Sequence, residues 1–192
     1  MFEHLLAGEL VFLYLGKLLG FDISPLFLIL GAFWGFSPDI LSFFLSRRIN
    51  YHSKNFFKHR NNLSHSLLLP TITFLVTLLF GGWKVSLLIS AAVLTHPLLD
   101  LFGIGEGVKL FLPFNNKAYK LFYKGKIIFI FNNDKEIREE VRESGQADWF
   151  KRAYFTANAN GVVWWWGIFE WCSLALAIYL PLLYFLKERY FY

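Results

Sequence analysis

Several stretches of this 192-residue chain are almost unbroken in apolar residues, and their lengths leave few folds open: 5–21, 25–45, 63–83, 85–102 and 162–186. A helix that crosses a membrane needs about 20 apolar residues, because the hydrocarbon layer is about 30 Å thick and each residue rises about 1.5 Å. Only helices and closed barrels satisfy every backbone hydrogen bond inside lipid, and runs of this length without period-2 alternation point to helices. Composition agrees. Charged residues make up 17% of the chain, against about 25% in a soluble domain. The 23 Phe and 7 Trp exceed what a soluble core of this size can hold, and they suit lipid-facing surfaces and the interfacial aromatic belt. The expected fold class is all-α, a polytopic transmembrane bundle of four to five spanning helices. The first segment, interrupted by Glu9 and Lys17, is the shortest.

Pro25 after Ser24 suits the first turn of the second helix. Gly81-Gly82-Trp83-Lys84 reads as a tight turn between the third and fourth segments. The expected organisation is one membrane-embedded domain over 1–192, made of helices over 1–114, a polar cytoplasmic insert over 115–160 and a final transmembrane helix over 161–192. Within the insert, 126–131 reads as a short strand and 133–143 as a surface helix. Cys172 stands alone, so no internal disulfide framework exists.

Charge sets the orientation. The loop after the second segment carries Arg47, Arg48, Lys54, Lys58 and Arg60 with no acid among them, and positive loops stay cytoplasmic. An even number of crossings puts 103–160 on the same side and the N-terminus inside, with no cleaved signal peptide expected. Lys187 and Arg189 argue against an outside C-terminus. The net charge of +5 therefore reads as a topology signal in membrane-flanking loops, with no nucleic-acid partner expected.

An ionisable group inside a spanning helix costs about 2.5–3.5 kcal/mol on insertion scales, so its presence asks for a reason. His96 and Asp100 are four apart and share one helix face. Asp39 lies toward the basic-loop end of the second segment, His59 and His65 stand at the start of the third, and His4 precedes the first. With the orientation above, all of these fall at the cytoplasmic end. Imidazole nitrogen and carboxylate oxygen are zinc ligands that also suit other divalent ions. The bland alternatives are a structural His96–Asp100 pair, Asp39 capping a helix that restarts at Ile40, and His65 as an ordinary interfacial histidine. Arg60 is either a phosphate clamp or a positive-inside marker. Glu9 and Glu170 are further intramembrane acids without an assigned role.

These residues resemble a known family, the LexA-binding, inner membrane-associated (YdjM-like) group described as membrane-bound metal-dependent hydrolases. The matching elements are His4 followed by Gly8, Pro38-Asp39, the block from His59-Arg60 to His65-Ser66, His96 to Asp100, and Gly107-Val108-Lys109-Leu110-Phe111-Leu112-Pro113-Phe114. They stand in the family's order over roughly residues 1–115. Leu41 occupies the place of the family's frequent second acid, Asn61 that of its usual Gly after His-Arg, and no His follows His96.

The resemblance implies an all-helical hydrolase of the inner membrane, distantly similar to zinc-dependent phospholipases C and related nucleases. Its metal would be a divalent ion, zinc first with manganese or magnesium as alternatives. Asp39, His65, His96 and Asp100 would be the core ligands, with His59 and His4 as additions. Asp100 or Asp39 would serve as base and Arg60 as charge stabiliser. The expected substrate is a lipid or lipid-like phosphoester met at the cytoplasmic face among membrane lipids. The rival reading is a non-catalytic docking or regulatory protein whose polar cluster only holds the bundle together and whose Lys- and Glu-rich segment contacts a soluble partner. A transporter fits less well, since it needs polar residues along the whole path.

Overall fold

The computed structural model describes residues 2–45, 62–102, 107–123, 126–131 and 162–191. They form four helices and a two-stranded hairpin: α1 (Phe2–Leu19), α2 (Pro25–Leu45), α3 (Leu68–Asp100), β1 (Tyr119–Tyr123), β2 (Lys126–Phe131) and α4 (Val162–Phe191). Among the described residues, three stretches are long and apolar enough to cross a membrane: Pro25–Phe44, Leu68–Asp100 and Ile168–Lys187. α1 stops at Gly20, whose φ of 83° is a conformation glycine adopts freely. There Gly20 N donates to Lys17 O and Phe21 N to Gly16 O, the paired bonds that close a helix C-terminus. α2 starts where Ser24 Oγ accepts from Phe27 N at 3.2 Å, with Pro25 in the first turn as its fixed φ favours.

The chain divides into two compact units. The first comprises Met1–Pro38, Leu69–His96 and Glu170–Tyr192. Its core is Phe12, Leu88 and Ala92, with Leu15, Phe27 and Trp34 packed around them. Helices α1 and α2 approach backbone to backbone at Gly8, Gly31 and Gly35. A Cβ on Gly8 would collide with Gly31 O, and one on Gly35 with His4 O. In lipid there is little hydrophobic drive between helices, so close contact between small residues supplies the packing energy. Gly8→Leu is therefore expected to lower stability by about 1–3 kcal/mol, as overpacking does, and thermal unfolding in detergent measures it. Lys84 Nζ caps α1 from outside by donating to Leu19 O at 2.8 Å, where the helix dipole favours a cation.

α3 contains 33 residues, and a straight helix of that length would span about 50 Å. Yet His65, three residues before its start, lies 3.5 Å from Asp100 at its end. The break is Gly82, with φ 71° and ψ 174°, so the helix folds into two limbs that run back along each other. This is the Gly81–Lys84 turn expected from sequence. The outward face is apolar: Leu79 and Phe80 are 78% and 87% exposed, which suits a lipid-facing surface.

The second unit comprises Asp39–Leu68 and Pro97–Phe169. Here Leu101, Val108 and Leu110 form a small core against Leu67, Tyr119 and Leu121. Backbone bonds tie its pieces: Leu67 N to Leu110 O, Leu121 N to Leu101 O, and a reciprocal pair between Val108 and Tyr119, all 2.8–2.9 Å. The strand expected over 126–131 is present, paired antiparallel with β1 and irregular between Lys120 and Phe122. Its partner β1, Tyr119–Tyr123, is not among the elements expected from sequence. Among the described residues the hairpin adds a β element to a mainly helical fold. The third segment also starts later than read: Leu63–His65 is a 3₁₀ turn, and helix begins at Leu68. The expected surface helix over 133–143 lies outside the described residues.

Candidate metal centre

In the second unit, three of the singled-out side chains converge. His65 is fully buried, and its Nε2 lies 3.3 Å from Asp39 Oδ1 and 3.5 Å from Asp100 Oδ2. Local structure explains the convergence. Asn62 caps the 3₁₀ turn, its Oδ1 accepting from Ser64 N at 2.9 Å. Its Nδ2 donates to Ser42 Oγ at 2.6 Å. Ser42 is three residues beyond Asp39 on α2 and hence near the same face, so docking the turn on Ser42 brings His65 toward Asp39. The hairpin at Gly82 returns the chain to deliver Asp100.

The separations carry chemical meaning. Charge-assisted hydrogen bonds close to about 2.7–2.9 Å, and these contacts are longer. Ligands bound at about 2.0–2.2 Å in a tetrahedral zinc site sit about 3.4 Å apart. Two carboxylates facing one imidazole in a buried setting also call for positive charge between them. Asp39, His65 and Asp100 could therefore hold a divalent cation.

In the first unit, His96 is buried with Nδ1 2.9 Å from Gly35 O. A carbonyl only accepts, so Nδ1 carries a hydrogen, and in a neutral ring the lone pair is then on Nε2, the tautomer of a metal-binding histidine. α2 runs unbroken through Pro38, which removes the donor that Trp34 O would otherwise receive. Ser37 Oγ supplies a replacement, donating to Trp34 O at 2.8 Å. In that loosened turn Gly35 O accepts from His96. His4 stacks on His96 with ring centroids 3.7 Å apart and planes 18° apart, and His4 Nε2 lies 3.5 Å from Glu3 Oε1. His96 and Asp100 share α3 one turn apart, so their side chains leave the helix on the same side.

Among known proteins, the family profile of YdjM inner membrane protein matches residues 1–184. The chain belongs to the YdjM inner membrane protein family. A search of curated proteins and one of solved structures each gives no match. The family match reaches past the motif region into α4, and with three helices long and apolar enough to cross it makes this a membrane protein.

Within this YdjM family member, Asp39, His65 and Asp100 come together, and His4 pairs with His96. His59 and Arg60 lie outside the described residues. Asp39 does not cap a restarting helix, because α2 is continuous from Pro25 to Leu45. Leu41, two residues on, projects about 200° away from Asp39 around the helix. An acid there would not join the Asp39 cluster. Glu170 accepts from Phe2 N at 2.6 Å, which gives that buried acid a structural partner. Four residues of the site were not foreseen: Gly35, Ser42, Asn62 and Ser64. Only Asn62 had a local signature, an amide side chain two residues before Ser64 and therefore able to cap a turn.

Proposed function

We propose that this YdjM family protein is a membrane-bound metal-dependent hydrolase of phosphoesters carried by a lipid or lipid-like substrate. The observation that carries the reading is the convergence of the Asp39 and Asp100 carboxylates on His65 Nε2 at 3.3 and 3.5 Å. Asp39, His65 and Asp100 would hold the ion, and His96 is a further candidate ligand. His59 and His4 are the candidates for extending the set. The chemistry that a divalent cation, zinc first with manganese or magnesium as alternatives, would supply when bound there is polarisation of a phosphoryl oxygen and acidification of a water. Asp100 or Asp39 would accept a proton from a water at the site. Arg60, with its planar fork of donors, neutralises charge on the phosphoryl group.

The basic residues between Arg47 and Arg60 support a site on the cytoplasmic side of the inner membrane. Counted as separate crossings, the two limbs of α3 together with α2 and α4 would give four crossings among the described residues, and α1 a fifth. A site at the polar end of apolar helices favours a substrate with an anionic head and an apolar tail.

Metal analysis of the detergent-purified protein tests the reading. Near-stoichiometric divalent metal is expected, markedly reduced in His96→Ala. Trace metal in the wild type, unchanged by His96→Ala, would leave the cluster as a structural device of a docking protein and refute the enzyme.

A further inference from the structure

We infer that Asn62 and Ser64 are positioning residues that lock His65 in one tautomer, with its hydrogen on Nδ1 and the Nε2 lone pair turned toward Asp39 and Asp100. The hydrogen-bond chain leaves no other arrangement for a neutral ring. A backbone N–H can only donate, so the Asn62 atom 2.9 Å from Ser64 N is the amide oxygen. The amide nitrogen then faces Ser42 Oγ and donates at 2.6 Å. Ser64 Oγ also bonds Asn62 Oδ1. Two oxygens in that contact need a hydrogen between them, and only the serine hydroxyl has one. With its hydrogen committed, Ser64 Oγ can only accept from His65 Nδ1, 2.9 Å away.

Ser42, Ser64 and His65 are each at most 1% exposed, so water does not readily replace a missing link. The opposite tautomer would point an N–H at the two carboxylates and present no lone pair there. The tautomer follows from the hydrogen bonds alone; its importance for metal binding rests on the reading proposed above. Groups that orient a liganding histidine typically contribute 10–100-fold to metal affinity.

The test uses the full-length, metal-free protein in detergent with ¹⁵N-labelled histidine, read by two-bond ¹H–¹⁵N correlation of the His65 ring at a pH high enough that the ring is neutral. In the wild type, Nδ1 is expected to be protonated and Nε2 not. Ser64→Ala and Asn62→Leu should give a mixture or the Nε2–H form and weaken zinc binding by about 10–100-fold. Ser64→Thr, which keeps the hydroxyl, should restore both readouts. A hydrogen on Nε2 of that neutral ring in the wild type overturns the inference, as does a tautomer unmoved by Ser64→Ala. The wild-type spectrum decides even where a variant does not fold. Zinc binding with Nε2–H in the metal-free state removes the positioning role and leaves the metal reading standing. No zinc binding with Nδ1–H as stated removes the metal reading and keeps the tautomer lock.

Discussion

Asp100→Asn is expected to remove phosphoester hydrolysis and bound metal together while leaving the apo-protein at least as stable as the wild type. Asn keeps the size and one oxygen of Asp100 but gives up its charge, and Asp100 is 1% exposed, so no solvent compensates. Loss of a residue that merely orients a ligand costs about 10–100-fold in metal affinity, so loss of a ligand should exceed about 100-fold. Stability runs the other way. Without metal, the Asp39 and Asp100 carboxylates face a single imidazole, and like charges at such range oppose each other. Neutralising one relieves that repulsion.

Zinc should then separate the two proteins. An ion that binds only the folded state stabilises it by about 2.7 kcal/mol at 100 times its Kd, so zinc should raise the melting temperature of the wild type and not of Asp100→Asn. A phosphoester screen in detergent micelles reads the activity. Equal hydrolysis by the two proteins, or an equal zinc-induced shift, would sink the proposed site.

The second large effect concerns a residue that offers no ligand atom. Gly82→Val is expected to lower stability by about 1–3 kcal/mol, the strain of holding a side chain in a backbone region that only glycine occupies readily. Gly82 has φ 71° and ψ 174°, and a Cβ there would meet nothing within 4 Å. The penalty therefore comes from the backbone and not from a clash. Because this turn folds α3 so that His65 and Asp100 meet, zinc affinity should fall with stability. Thermal unfolding and zinc titration in detergent measure both; an unchanged melting temperature would show that the limbs meet without this turn.

Much of this architecture follows from residue type and spacing alone. Lipid demands long helices with internally paired backbones, so the apolar runs were sufficient to place α2 at its observed ends and to locate the bend near Gly82. Insertion cost singles out Asp39, His65, His96 and Asp100, because a buried charge needs a partner wherever it sits. Helical periodicity puts His96 and Asp100 on one side of α3 without any tertiary information.

The tertiary structure decided what sequence spacing cannot reach. Asp39 and His65 are joined by a long connection, and their approach depends on the docking of Asn62 onto Ser42, a contact between two small polar residues with no periodic signature. The tautomers of His65 and His96 depend on Ser64 and on the carbonyl of Gly35, and a carbonyl leaves no trace in a sequence since every residue has one. Pairing of Tyr119–Tyr123 with Lys126–Phe131 was likewise invisible, because a strand is stabilised by its cross-strand neighbour more than by its own residues. The sequence by itself determined a membrane helical chain with a few unavoidable polar groups. Only the folded chain decided that Asp39, His65 and Asp100 face one another, because long-range hydrogen bonds and one glycine turn, not local propensity, bring them together.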